Sequence, residues 1–202
     1  TSRGVDNFVA FLSIGIFTYQ YAQRSTMAGA GSIRKNRGLM TIISFPRVLL
    51  PVTSTAVEAL AALPAFGVMF VVALLTGEQV RWTWLLVLPT LAVLTLFNLG
   101  LSMVAARAAN RVADIQQLLP FIFRLGFYAS GVLFNVESYV EQPKYRALFE
   151  ANPLYCFIEL NRTFILGGEL SPFVPLSAAL WTVALLLGGF LWFRAGEDSY
   201  GE

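Results

Sequence analysis

Histidine is absent from this 202-residue chain, and cysteine occurs once, at Cys156. The first absence removes Ser-His-Asp and Cys-His relays and every histidine-based metal site. The second rules out an internal disulfide. Charge is scarce as well: 13% of residues are charged, against about 25% in a soluble domain. The net charge is +2 and the basic residues form no continuous stripe, so the chain has no nucleic-acid partner to expect. No G-x-x-x-x-G-K-[ST] loop is present, which excludes nucleotide binding of that kind. A selectivity-filter sequence and a matched pair of Gly/Pro-broken half-helices are also missing, which weighs against an ion channel and an inverted-repeat carrier.

What the chain has is apolar length. Hydrophobic residues make up 56% of it and the mean hydropathy is +0.65. A bilayer core of about 30 Å needs roughly 20 mostly apolar residues per helix. Five runs approach that: 8–23, 48–75, 83–106, 118–134 and 172–193. The expected fold is therefore all-α, a polytopic transmembrane bundle of about five spans forming one domain over 1–202. Pro51 and Pro64 are expected to kink the second run, because each lacks a backbone donor. The polar, Gly-rich stretch from Arg24 to Arg37 reads as a connection, with Gly29-Ala30-Gly31 as a flexible turn. From Asn135 to Glu169 apolar residues recur at helical spacing, broken at Asn152-Pro153. Two short amphipathic helices within about 137–168, lying at the outer interface, fit that pattern.

Orientation follows from the positive-inside rule. With an external start, the inner segments hold Arg24, Arg34, Lys35, Arg37, Arg47, Arg107, Arg111 and Arg194, against five cationic residues outside. The N-terminus of the segment is thus expected outside and the C-terminus in the cytoplasm, with lipid as the surrounding solvent.

Glu58 and Arg124 fall inside expected spans, each two to three turns from the cytoplasmic side. Charges at that depth face a partner or a cavity. A Glu58–Arg124 pair fixing helix register, snorkelling to water, or an Arg124 that lines a path for an anionic substrate are all open. Aromatic residues make up 14% of the chain. Most suit lipid contact, the core or the interfacial belts; Phe8, Phe11, Phe127 and Tyr128 are the candidates for lining a path. Ser102 and Ala106, four apart, suit close helix packing.

Three segments resemble the ABC-2 permeases that export lipid-linked polysaccharides such as O-antigen, teichoic acid and galactan. RKNRGLMTIISFPRVLLP, from Arg34 to Pro51, is similar to the family's N-x-x-L-I … F-P-R … P pattern in Asn36, Leu39, Phe45, Pro46, Arg47 and Pro51. The stretch from Arg111 through Asp114 to Gln116 resembles its R-D-[IV]-x-Q element, although the Arg and Asp that are adjacent there are separated here by two residues. Asn152-Pro153-Leu154, followed by Arg162, resembles its N-P-L … R signature before the last span.

The resemblance implies a transport permease, not an enzyme, with ATP and Mg handled on two separate cytoplasmic ATPase subunits and a second copy of the chain completing the conduit. It implies a coupling helix at about 33–44 that carries Arg34, Lys35, Asn36, Arg37 and Leu39, followed by Phe45, Pro46 and Arg47. Arg111 and Asp114 would form a smaller ATPase contact. Asn152, Pro153, Tyr155 and Arg162 would belong to an external gate. Such permeases have six spans, so five with an external start imply that the family's first span and N-terminal amphipathic helix lie outside these residues. A drug- or lipid-exporting ABC-2 permease is a second reading. A membrane glycosyltransferase is a third, and it would need clustered carboxylates at one interface, where Asp114 is the single inner acid outside the tail.

Overall fold

The computed structural model describes residues 7–42, 45–112, 114–136 and 143–197. Among them every regular element is a helix: α1 Phe8–Lys35, α2 Arg37–Ile42, α3 Leu49–Leu75, a 3-10 turn Trp82–Leu86 leading into α4 Val87–Arg111, α5 Ile115–Ala129, α6 Pro143–Glu150, α7 Pro153–Leu166 and α8 Phe173–Arg194. Three segments are long and apolar enough to cross a bilayer: Leu49–Leu75, Trp82–Arg111 and Phe173–Arg194. Their large apolar side chains point outward, as Leu60, Val71, Leu180 and Leu187 do, all more than half exposed. Backbone polar groups in lipid must be satisfied within the segment, and a continuous helix does that.

The expected boundaries change at two of the five runs. The first helix does not stop near residue 23; it continues to Lys35, 28 residues in all. Gly29-Ala30-Gly31 is therefore no turn. All three residues are buried inside α1, and Gly29 sits so close to Ser102 of α4 that a Cβ would overlap it. Small residues read as flexibility in sequence and act here as a packing face. The fourth run gives only 15 residues of helix, Ile115–Ala129, about 23 Å at 1.5 Å per residue, and the chain turns at Ser130 and Gly131 (φ +61°). Of the two prolines in α3, Pro51 occupies the first turn, where its missing N–H is an orphan in any helix, and only Pro64 is interior.

α1 is the central element. It packs along α3 and α4 and also touches α5 and α7, while α4 packs along α8. Ser102 holds three helices together: its hydroxyl donates to Ser25 O (3.0 Å) and receives Thr55 Oγ1 (3.2 Å). On the other side of α4, a Cβ at Gly100 would lie 2.5 Å from Leu185 C and O, and one at Gly189 would lie 2.5 Å from Gly100 O. The α4–α8 crossing is thus backbone against backbone. Gly100→Val is expected to lower stability by about 1–3 kcal/mol through overpacking, read as a drop in unfolding midpoint in detergent. Gly188→Ala, with open space around it, should leave the midpoint unchanged or slightly raised.

Candidate functional site

One end of the bundle gathers the cations. The last turn of α1 carries Arg34 and Lys35, and Asn36 ends the helix, its side chain donating to Ser32 O (2.8 Å). The N–H groups of Leu39 and Met40 then return to Asn36 O, starting α2. Ile33, Leu50, Met103, Ala106 and Phe193 form a buried cluster, and Met40, Phe45 and Val48 pack on it. That contact holds α2 against the bundle while Arg37, Leu39 and Ile42 remain exposed. Pro46 is exposed, and the Arg47 N–H donates to Glu197 Oε1 (3.1 Å). The expected coupling helix of 33–44 is therefore two pieces: Ile33 to Lys35 complete α1, and a six-residue α2 follows the break at Asn36. Residues 43–44 lie outside the described residues.

α4 and α8 end at the same face. Arg107 is buried, lies 4.7 Å over the Trp192 ring, and donates to Ala195 O (3.5 Å). Sequence reading gave Arg107 a topological role only; its contact with Trp192 has no local motif to announce it. Arg111 and Asp114 are both exposed at the α4–α5 turn and form no ion pair with each other among the described residues. Asp114 O instead receives the N–H groups of Gln117 and Leu118, starting α5.

The opposite end is built around Arg162 of α7, which is 3% exposed. Its Nη1 donates to Gly131 O (3.0 Å), its Nη2 to Val132 O (2.8 Å) and its Nε to Phe11 O (3.4 Å). The guanidinium also lies 3.4 Å over the Phe11 ring, with Glu159 at 3.9 Å. One side chain thereby joins α1, the turn after α5, and α7. Burial lowers its pKa to about 10, with Glu159 opposing the shift, so it stays cationic at neutral pH. Asn152 caps α7 by accepting from Leu154 N (3.0 Å), with Pro153 in the first turn, and Tyr155 is buried. The final carbonyls of α7 are covered by side chains from the loop before α4: Arg81 Nη1 to Leu166 O (3.2 Å), Trp84 Nε1 to Ile165 O (3.1 Å) and Thr83 Oγ1 to Phe164 O (2.6 Å). α6 and α7 flank the break at Asn152; residues 137–142 of the first expected external helix lie outside the described residues.

The intramembrane candidates separate. Glu58 lines a groove between α1 and α3 with Gln20, Tyr21 and Arg24, whereas Arg124 is exposed on α5. Among the described residues they form no ion pair. α1 stands between α3 and α5, packing on both. Phe11 is committed to Arg162 and 5% exposed, so it lines no path. Phe8 stacks on Phe11, Phe127 meets Tyr19 edge-on, and Tyr128 is exposed beside Phe127.

A family model described as ABC-2 type transporter matches residues 7–166, which include both ends just described. The chain belongs to the ABC-2 type transporter family. The O-antigen export system permease protein RfbA of Myxococcus xanthus is 21% identical over 201 residues, covering 99% of this chain and 77% of that protein. Two proteins of the same name from Klebsiella pneumoniae are each 23% identical over 168 residues, covering 83% of this chain and 64% of theirs. The chain thus spans a little under two thirds of the Klebsiella relatives. As an ABC-2 transporter the chain is a membrane-transport protein, and its all-helical bundle with three apolar crossing helices accords with that class.

Two outcomes test the geometry of this ABC-2 transporter's Arg162 end. Arg162→Met removes the side-chain donor from three carbonyls, those of Gly131, Val132 and, through a longer bond, Phe11; at about 1–3 kcal/mol for each one left unsatisfied, it should lower the unfolding midpoint and expose 130–136 to protease. Arg162→Lys should rescue little, since one ammonium cannot reproduce the guanidinium fork. Cys156 is fully buried, and burial raises its thiol pKa to about 11. At pH 7 the thiolate is therefore scarce, and maleimide should label Cys156 in the native protein far more slowly than after denaturation.

Proposed function

We propose that this chain is the permease subunit of an ABC exporter that moves a lipid-linked polysaccharide across the bacterial inner membrane. The reading rests chiefly on relatives named O-antigen export permeases that align along 83–99% of the chain. The exposed basic α2 end supports it from the structural side. In this reading the N-terminus of the segment is external and the cationic end cytoplasmic, with α1 and α5 crossing beside the three apolar helices. Two ATPase subunits bind ATP and Mg and dock on that cytoplasmic end, and a second copy of the chain completes the conduit.

The coupling follows from the build of α2. A six-residue helix seated by Met40 and Phe45 on the cluster of Ile33, Leu50 and Phe193 transmits displacement to α1, α3 and α8 together. Exposed Leu39 and Ile42 supply an apolar contact for the ATPase, and Arg34, Lys35 and Arg37 orient it. Rigid-body closure of the ATPases then tilts the helices that end there. Arg111 and Asp114 border the same face as a smaller contact. At the other end, Asn152, Pro153, Tyr155 and Arg162 position α6 and α7 as the gate.

Copurification from membranes tests this directly. Arg34→Gln with Arg37→Gln should reduce recovery of the ATPase subunit by roughly tenfold, the effect of losing about 1.4 kcal/mol of association. Export of the lipid-linked glycan, followed by surface labelling, should fall with it. Undiminished recovery and export in that double variant would remove the coupling role. A wild-type complex that stimulates ATP hydrolysis with hydrophobic drugs but not with lipid-linked glycans would remove the substrate assignment.

A further inference from the structure

We propose that the mouth of the α1–α3 groove, where Gln20 and Arg24 are exposed beside Glu58, binds the phosphate group of the lipid-linked substrate on its way across the membrane. The inference rests on the export reading above and deepens it by naming a site. The groove is lined by Phe17, Gln20, Tyr21 and Arg24 of α1 and by Glu58 and small alanines of α3. Arg24 lies eleven residues before Lys35, about 17 Å along the helix, and Glu58 nine residues after Leu49, about 14 Å. Both therefore lie more than two turns inside their helices, at similar distances from the cationic end.

Two opposite charges at that depth carry a large desolvation cost when they face hydrocarbon, and in membrane proteins they face a polar path or a partner. Arg24 and Glu58 line one groove, yet among the described residues they form neither an ion pair within 4 Å nor a hydrogen bond. The guanidinium is thus available to an incoming anion while the carboxylate offsets its charge in the empty state. Behind them, Tyr21 hydrogen-bonds Thr95 of α4 (2.8 Å), and Asn98 is buried alongside, giving the groove a polar floor. That floor has room for about one water molecule, so a phosphate is held at the open rim.

Two other surface grooves are more apolar. One, about 470 Å³, is walled by Phe70, Val80, Trp82, Trp84, Leu85 and Leu88, with Arg81 at its edge already donating to Leu166 O. Another, about 380 Å³, lies under Phe173, Leu176, Leu180 and Trp181. Both suit acyl chains. A phosphate needs cationic donors, and Arg offers a planar fork for it.

The test uses the permease–ATPase complex in phosphatidylcholine liposomes, with a photocrosslinking residue placed at Gln20, Leu88 or Leu176. The probe is a fluorescent undecaprenyl diphosphate-linked disaccharide. Labelling is expected at position 20, where it depends on Arg24, and any lipid-chain labelling at 88 or 176 should be unchanged by Arg24→Gln. Arg24→Gln should reduce it about tenfold, as for loss of a charge-assisted hydrogen bond, Arg24→Lys should retain most of it, and Glu58→Gln should raise it. Equal labelling in Arg24→Gln, or labelling at 88 or 176 in place of 20, overturns the assignment. So does competition by phosphatidylglycerol as effective as that by unlabelled polyprenyl diphosphate, which would make the groove a general lipid-phosphate site. Probe flux in the same liposomes separates the two readings: flux without labelling at position 20 removes this site alone, and loss of both removes the export reading with it.

Discussion

The approach of α1 to α4 at Gly29 and Ser102 sets the spacing of the bundle. In lipid there is no hydrophobic force between helices, so association depends on close packing and on hydrogen bonds across the contact. Glycine at 29 brings the two backbones near enough for the Ser102 hydroxyl to reach Ser25 O, and Thr55 of α3 then reaches Ser102. A second backbone contact, Gly100 against Leu185 and Gly189, adds α8 to the same helix. The three apolar crossing helices are ordinary on their lipid faces; their arrangement is decided by a few positions with almost no side chain.

That constraint explains which parts of the fold were legible in the sequence. The runs around α3, α4 and α8 stand out because lipid demands long apolar stretches. The break before α7 was legible too, since Asn152 and Pro153 supply a cap and a first-turn proline at adjacent positions. The far half of α1 was not. Its Ser, Thr, Ala and Gly residues resemble a connection when hydropathy alone is read, and only the facing surface of α4 shows that they are a seam. The shortness of α5 was hidden for the opposite reason, because the apolar residues after Ala129 continue into the turn at 130–135, where Val132 is buried off-helix.

The functional residues divide in the same way. Basic residues near Asn36 were visible because charge is rare in this chain, and they do lie together at one end. Arg162 was visible as a residue, but its partners are backbone carbonyls, which have no sequence identity. Glu58 drew attention through its depth, whereas its neighbour Arg24 was assigned to a connection that turned out to be helix. Because α1 is continuous, Arg24 lies eleven residues inside a helix and beside α3.

The span of the Arg162 contacts also has a consequence for biosynthesis. Its acceptors precede it by 30, 31 and 151 residues. The carbonyls of Phe11, Gly131 and Val132 must therefore wait for this donor until α7 has been made. This end is closed late, once α1 and α5 have already been made. A nascent chain arrested before α7 would hold α1, α3, α4 and α5 without the clasp that joins α1 to the turn after α5.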